Sequence, residues 1–399
     1  MSEVDRIIES CPEKQFKTPT VTNKHSKKMD FINMINKGCN IVSTHALFQM
    51  LGKTQFEIDS LKDYILILDE VINVIDMCVI SKDEKEALFM SNKAVATIDE
   101  KTGRVKWKNH YDANGEIIVD PNNRYQDLQE MANLGTLYYY GDLLFIWTFP
   151  TEIFQIFKKS FILTYMFNGQ MQKGYYDMYD IEYKYLHITH EDGLADTFPL
   201  EEYQLIDAIF DEPYEYNTNA YKQLINICDK ESLNRIGEND NSLTKAWYGR
   251  ARENGNLEIL GKNLLNYFKN IVKSNKKKFM WTTFVDFTPI LENKKNYSVK
   301  YDKEKKPISN EKGAFLSCNM RATNDFRQKQ DLAYLINVYY NPIIKNFFVD
   351  RGGDIDESKY ALSELIQWIF RSGIRDGKPI NLYIPSSRMR NLLEEWLEK

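Results

Sequence analysis

Apolar residues in this chain fall into short, dense blocks set between polar stretches. Tyr64-Ile65-Leu66-Ile67-Leu68 runs without interruption and ends on Asp69-Glu70. A block of that length, bounded by polar residues, suits a strand buried on both faces, as in a parallel sheet. Leu143–Trp147 and Ser160–Thr164 are of the same kind, and Asn40–Thr44 is a shorter β-branched run that leads into a helix through Leu51. Residues up to Lys37 read as helix, polar loop (Pro12–Lys28) and helix. Ala94–Ile98 and Arg104–Trp107 flank Lys101-Thr102-Gly103, a hairpin signal. Past a Tyr-rich acidic stretch with a strand at Tyr185–Ile188, the pattern predicts a helix over 257–273. It also predicts strands at Lys278–Phe284, Ala314–Ser317 and Ile380–Ile384, helices at Arg327–Phe347 and Ser358–Arg371, and a Lys-rich loop over 293–312.

Strands alternating with helices define an α/β class. The boundaries that follow are a first lobe over 1–174 carrying the hairpin insertion at about 94–120, a bridging segment over 175–240, and a second lobe over 241–399. A length of 399 residues fits two to three domains.

Charge sharpens this division. The formal net charge is −5, but residues 241–399 hold 28 basic and 18 acidic side chains, so the rest of the chain is strongly acidic. A basic C-terminal part is the electrostatic footprint of a phosphate-tracking surface, and equally of a solvated Lys-rich face. Five cysteines with no C-x-x-C pair argue for a reducing compartment and against a zinc module. Met-Ser-Glu-Val-Asp-Arg is no signal peptide, and no apolar run reaches 18 residues, so the expectation is a cytoplasmic protein without a membrane partner.

Four segments carry candidate chemistry. Asp69-Glu70 sits where a buried strand delivers residues to the carboxyl edge of a sheet. There an Asp can hold Mg²⁺ and a Glu can polarise water, or the pair can simply cap a helix. Gln367 and Arg371 are four apart on a predicted helix face, with Arg375 beyond a Gly-bearing break. Such guanidinium groups suit a γ-phosphate, and they also suit a helix end. Thr323 and Asn324, after the Ala314–Ser317 strand, and Ser43 and Thr44, after Asn40–Thr44, offer hydroxyl and amide donors to phosphate or serve as helix caps. His45 is assigned no acid–base role. His187 and His190 are three apart on a predicted strand and face opposite sides, which argues against a metal site.

In this order the segments resemble the superfamily-two DNA helicases, in the divergent DEAD/DEAH-box-like branch of low-GC bacteria and their phages. Ser43-Thr44-His45 resembles motif Ib, Leu68-Asp69-Glu70-Val71 motif II and Arg321-Ala322-Thr323-Asn324 motif V. Gln367 to Arg375 resembles motif VI, Ile162-Leu163-Thr164 stands in the place of motif III, and Met280–Phe284 lies near motif IV. The resemblance implies two RecA-like lobes with mainly parallel sheets, ATP and Mg²⁺ as cofactors, and single-stranded DNA as partner. A replication or mobile-element role, with a replication-protein partner, would follow. It further implies that Glu70, Arg371 and Arg375 are catalytic, that Asp69 holds Mg²⁺, that Gln367 touches nucleotide, and that Thr44, Thr164 and Thr323 couple nucleotide state to strand grip.

The chain departs from the pattern in continuing motif II as Val71-Ile72, in an extra residue between Arg371 and Arg375, and in Tyr165-Met166 after Thr164. G-x-x-x-x-G-K-[ST], the loop whose backbone N–H groups and lysine cradle phosphates, does not occur. The expectation is a first lobe incomplete at its N-terminus, unpaired sheet edges, and impaired ATP hydrolysis. Two readings follow: an ATP-dependent helicase or translocase, and a non-catalytic nucleic-acid-binding or regulatory protein derived from one.

Overall fold

The computed structural model describes residues 3–21, 26–53, 56–115, 117–118, 125–142, 144–189, 203–208, 218–304, 306–308, 314–318 and 325–398. The chain forms two units, Met1–Tyr183 with Pro342–Ile355, and Lys184–Asn341 with Asp356–Lys399. Segment 342–355 of the C-terminal half therefore belongs to the first unit.

The first unit contains β1 (Ile65–Asp69), β2 (Ile75–Val79), β3 (Ala96–Ile98), β4 (Val105–Trp107), β5 (Leu137–Tyr139), β6 (Leu144–Thr148) and β7 (Lys159–Leu163). β1 and β7 pair in parallel. Leu66 and Leu68 are buried, whereas Ile65 is 54% and Ile67 62% exposed. The expected burial on both faces is thus corrected: among the described residues β1 has β7 as its one partner in a two-stranded sheet, and one face of the pair is left open. β6 is buried along its whole length between β2 and β5, in an antiparallel sheet. β3 and β4 form the hairpin read from the sequence, and Gly103 takes φ +72° at its turn, a conformation glycine adopts freely. Asn40–Thr44 forms only one parallel bridge, between Ile41 and Lys17, because its other residues lead straight into the helix His45–Gln49.

Aromatic packing holds this unit together. Phe154 lies against Phe149, Tyr175 and Tyr176. The Tyr175 hydroxyl donates to the Phe149 carbonyl at 2.5 Å. Such a bond gives a buried phenol the partner that desolvation demands. The helix Pro342–Val349 adds Phe347, which meets Tyr138 and Tyr140 edge-on. Arg351, 3.8 Å from the Phe347 ring centre, donates to the Thr102 carbonyl and ties that segment to the hairpin turn.

The second unit opens with the antiparallel pair β8 (Tyr185–Thr189) and β9 (Gln204–Ala208). It continues with β10 (Ile225–Ile227), β11 (Phe279–Thr282), the short hairpin β12 (Lys300–Tyr301) and β13 (Pro307–Ile308), β14 (Asp331–Tyr334) and β15 (Ile380–Tyr383). Its main sheet is wholly parallel, in the order β10-β15-β14-β11. Phe315 adds a single parallel bridge to Trp281 in place of the strand expected at Ala314–Ser317.

The helix expected over Arg327–Phe347 is overturned in its first part, which β14 occupies. Asp331–Tyr334 is buried throughout, and an unbroken apolar run of this kind suits a central parallel strand as well as a buried helix. The helix begins only at Pro342, a residue favoured in a first turn. The helix expected at Ser358–Arg371 is present as Glu357–Ile369. Trp281, Tyr248, Tyr267, Ala333 and Tyr383 belong to one buried cluster of this unit. The chain is α/β, with a parallel pairing in each unit.

Candidate functional site

The carboxyl ends of β1 and β7 bring two of the expected residues together. Asp69 closes β1 in register with Leu163, and the backbone then turns sharply: Glu70 has φ +75°. Its amide donates to the Leu163 carbonyl at 2.9 Å, which continues the ladder one residue beyond the strand. The Thr164 hydroxyl donates to the Glu70 carboxylate at 3.0 Å, both side chains being half-buried. Asp69 is exposed on the open face. A non-glycine residue in the left-handed region costs about 1 kcal/mol or more, so the local fold must hold Glu70 in place.

The other group lies in the second unit. The helix Glu357–Ile369 carries Gln367 on a half-buried position and stops before Arg371, so Arg371 leaves through the helix cap rather than along its face. Arg375 is exposed in the turn Gly373–Asp376, which Ser372 caps. Next to it, Asp376 is ion-paired with Arg327 and Lys378. Desolvation opposes ionisation of Asp376, but the Lys378 ammonium and the Arg327 guanidinium hold its carboxyl below the usual range. Thr44 caps the helix His45–Gln49 by accepting from the Leu47 amide, and Ser43 precedes it half-buried. Thr323 and Asn324 lie outside the described residues.

ATP needs a cradle of backbone N–H groups at the start of a helix. The turns after β6 and β7 read Phe149-Pro150 and Thr164-Tyr165-Met166, without glycine. Gly52-Lys53-Thr54 matches the last three residues of that loop's pattern. Gly52, however, stands in a 3₁₀ turn that ends a helix, and a Cβ there would lie 2.7 Å from Pro150. Lys53 lies over the Trp147 ring at 4.6 Å. Gly52 and Lys53 thus pack against Pro150 and Trp147, a placement that does not fit a phosphate cradle. Among the described residues no cluster of three or more His, Cys, Asp or Glu is placed to hold a metal ion.

One arrangement was missed entirely. Asn226, Asn381 and Asp331 stand in register on three neighbouring parallel strands. Asn226 Nδ2 donates to Asn381 Oδ1 at 2.9 Å, and Asn381 Nδ2 donates to Asp331 Oδ1 at 2.8 Å. The signal available was a polar residue at the start of each of three apolar runs, Asn226-Ile, Asp331-Leu-Ala and Asn381-Leu-Tyr.

A family described as the YonV C-terminal Rossmann-like domain matches residues 219–397, a stretch that begins just before β10 and ends in the last helix. The SPbeta prophage-derived uncharacterized protein YonV of Bacillus subtilis (strain 168) is 34% identical over 402 residues, covering 100% of this chain and 90% of that protein. The chain belongs to the YonV family. No solved structure matches it. The parallel sheet of the second unit is accordingly the YonV Rossmann-like domain, but its first strand-to-helix turn reads Cys228-Asp229-Lys230 and lacks the glycine-rich dinucleotide fingerprint. No helix among the described residues is long and apolar enough to cross a membrane.

Proposed function

We propose that this YonV-family chain is a nucleic-acid-binding protein of helicase-like build whose own ATP hydrolysis is impaired. The observation that carries the reading is the Thr164–Glu70 hydrogen bond at the carboxyl edge of a parallel strand pair. The resemblance assigns Glu70 to catalysis and Thr164 to the coupling of nucleotide state to strand grip, and this bond joins the two. The packing of Gly52 and Lys53 against Pro150 and Trp147 supports loss of hydrolysis, since phosphoryl transfer depends on positioning and electrostatics. The surplus of basic residues in 241–399 supports a phosphate backbone as partner, with single-stranded DNA the first candidate.

Retention of Glu70, Arg371 and Arg375 favours a second reading, a working ATP- and Mg²⁺-dependent translocase. ATP hydrolysis with and without single-stranded DNA, beside Glu70→Gln and Arg371→Ala, separates the two. The proposal expects no hydrolysis above background, together with DNA binding that weakens steeply with salt. DNA-stimulated hydrolysis lost in both variants would establish the motor, and absence of DNA binding would end both readings.

A further inference from the structure

The ladder Asn226–Asn381–Asp331 opens onto a pocket of about 450 Å³ at the amino-terminal edge of the Rossmann-like sheet, the edge opposite the one such folds normally use. None of its lining residues belongs to the helicase-like reading. Its walls are the starts of β10, β14 and β15 and the segment Val272–Asn275, and its volume is that of a small-ligand site.

The ladder grades from the exposed edge strand inward. Asn226 is exposed, Asn381 half-buried, and Asp331 only 5% exposed. Among the described residues the Asp331 carboxylate takes one side-chain donor, Asn381, and no ammonium or guanidinium lies within ion-pair range. A buried carboxylate with so little compensation calls for further donors. Asp331 lines the pocket, so a ligand can supply them.

The pocket mouth has the opposite charge. Lys273 and Lys278 line it, and Lys276 and Lys277 lie between them in sequence, all four exposed. None of the four has an acidic partner within 4 Å among the described residues. Lys329, fully buried next to the pocket residue Gln330, donates to the Lys276 carbonyl at 3.0 Å and so ties down this lysine-rich segment.

Planar amides and a carboxylate in one line match the edge of a nucleobase, whose amino and ring N–H groups donate to Asp and whose mixed edges pair with Asn. Unpaired ammonium groups at the mouth match a phosphate. An apolar ligand would strand the ladder, and a divalent cation would find one carboxylate where it needs several oxygens. We infer that this pocket binds a nucleoside phosphate, with the base against Asn226, Asn381 and Asp331 and the phosphate on Lys273 and Lys278. The chemistry is the same for a free nucleotide and for the terminal nucleotide of a strand.

The test is calorimetric titration of the full chain with the four ribonucleoside 5′-monophosphates, their unphosphorylated nucleosides, inorganic phosphate and a 5′-phosphorylated dinucleotide. At least one monophosphate is expected to bind ten-fold or more tightly than its nucleoside and than phosphate. Lys273→Ala/Lys278→Ala should weaken that binding at least ten-fold, and Asp331→Asn should change the order of preference among the bases. Should Asp331→Asn fail to fold, Asn226→Ala on the exposed edge strand tests the base contact instead, with an expected several-fold loss. A dinucleotide that binds more tightly than the monophosphates assigns the pocket to a strand end, and the reverse assigns it to a free nucleotide. Absence of binding by every probe, equal binding of phosphate and nucleotide, or binding unchanged in the lysine double variant and in Asn226→Ala would overturn the assignment. These outcomes are independent of whether the chain hydrolyses ATP.

Discussion

Thr164 and Glu70, 94 residues apart in sequence, meet through a 3.0 Å hydrogen bond at the ends of two parallel strands. The donor is a hydroxyl and the acceptor a half-buried carboxylate, so the bond is charge-assisted. Thr164→Val should cost about 1 kcal/mol, Glu70→Gln a similar amount, and the double variant less than the sum, with a coupling of about 1 kcal/mol. Urea midpoints of the four proteins measure this, and additive losses would mean that the bond contributes nothing to stability. The φ of +75° at Glu70 adds a check. Glu70→Gly should be more stable than Glu70→Ala by about 1 kcal/mol, because glycine enters the left-handed region without the Cβ penalty.

The open face of the β1–β7 pair carries Ile65, Ile67 and Leu163, the last 51% exposed. Apolar side chains beside unpaired strand edges invite association. Ile65→Thr/Ile67→Thr keeps the β-branched shape that strands favour. It should change the unfolding free energy by less than about 0.5 kcal/mol, the usual range for surface substitutions. It should also raise the concentration at which light scattering begins. Unchanged scattering would show that this face does not drive self-association.

The sequence made most of the strands legible and said less about how each is covered. β1, β6, β7, β11 and β15 lie where dense apolar blocks predict them. β1 has an open face where, among the described residues, its sheet contains one other strand, and partner number is a property of topology that no local pattern carries. β14 was read as helix because Asp331–Tyr340 has no alternation to set period 2 against period 3.6, and the chain reaches Pro342 before the helix starts. Candidate residues are legible where neighbours in sequence are neighbours in space, as at Asp69-Glu70. They are illegible at Asn226, Asn381 and Asp331, which only strand order brings together.

Gly237 lies where a Cβ would sit 2.0 Å from the Pro385 carbonyl oxygen and 2.7 Å from the Ser386 amide nitrogen. Both obstacles are backbone just beyond β15, which is held between β10 and β14 and cannot swing aside as a side chain could. Gly237→Ala should therefore destabilise the second unit by more than about 2 kcal/mol, in the range of overpacking a close contact. Gly249→Ala, where a Cβ meets nothing within 4 Å, is the control and should be neutral or stabilising. Thermal unfolding of the two variants provides the comparison, and equal midpoints would show that the β15 turn can yield.

Asp99, at the hairpin turn, accepts from Lys106 at 2.8 Å and from the amides of Lys101 and Thr102 and the Thr102 hydroxyl. The Lys106 ammonium, then the Thr102 amide and hydroxyl, hold its carboxyl at about 2. A carboxyl lowered on folding contributes stability that is present above its ordinary value near 4 and is lost as pH falls through the folded value. The turn should therefore keep these bonds at pH 4 and lose them towards pH 2. The Asp99 carboxyl carbon and the Thr102 amide, followed by NMR, should titrate together with a midpoint well below 4. Lys106→Ala removes the largest contributor at an exposed position, so it should raise that midpoint towards the ordinary carboxylate value while leaving the fold intact. A midpoint near 4 in the unaltered protein, or one that Lys106→Ala does not move, would show that the ion pair does not persist in solution.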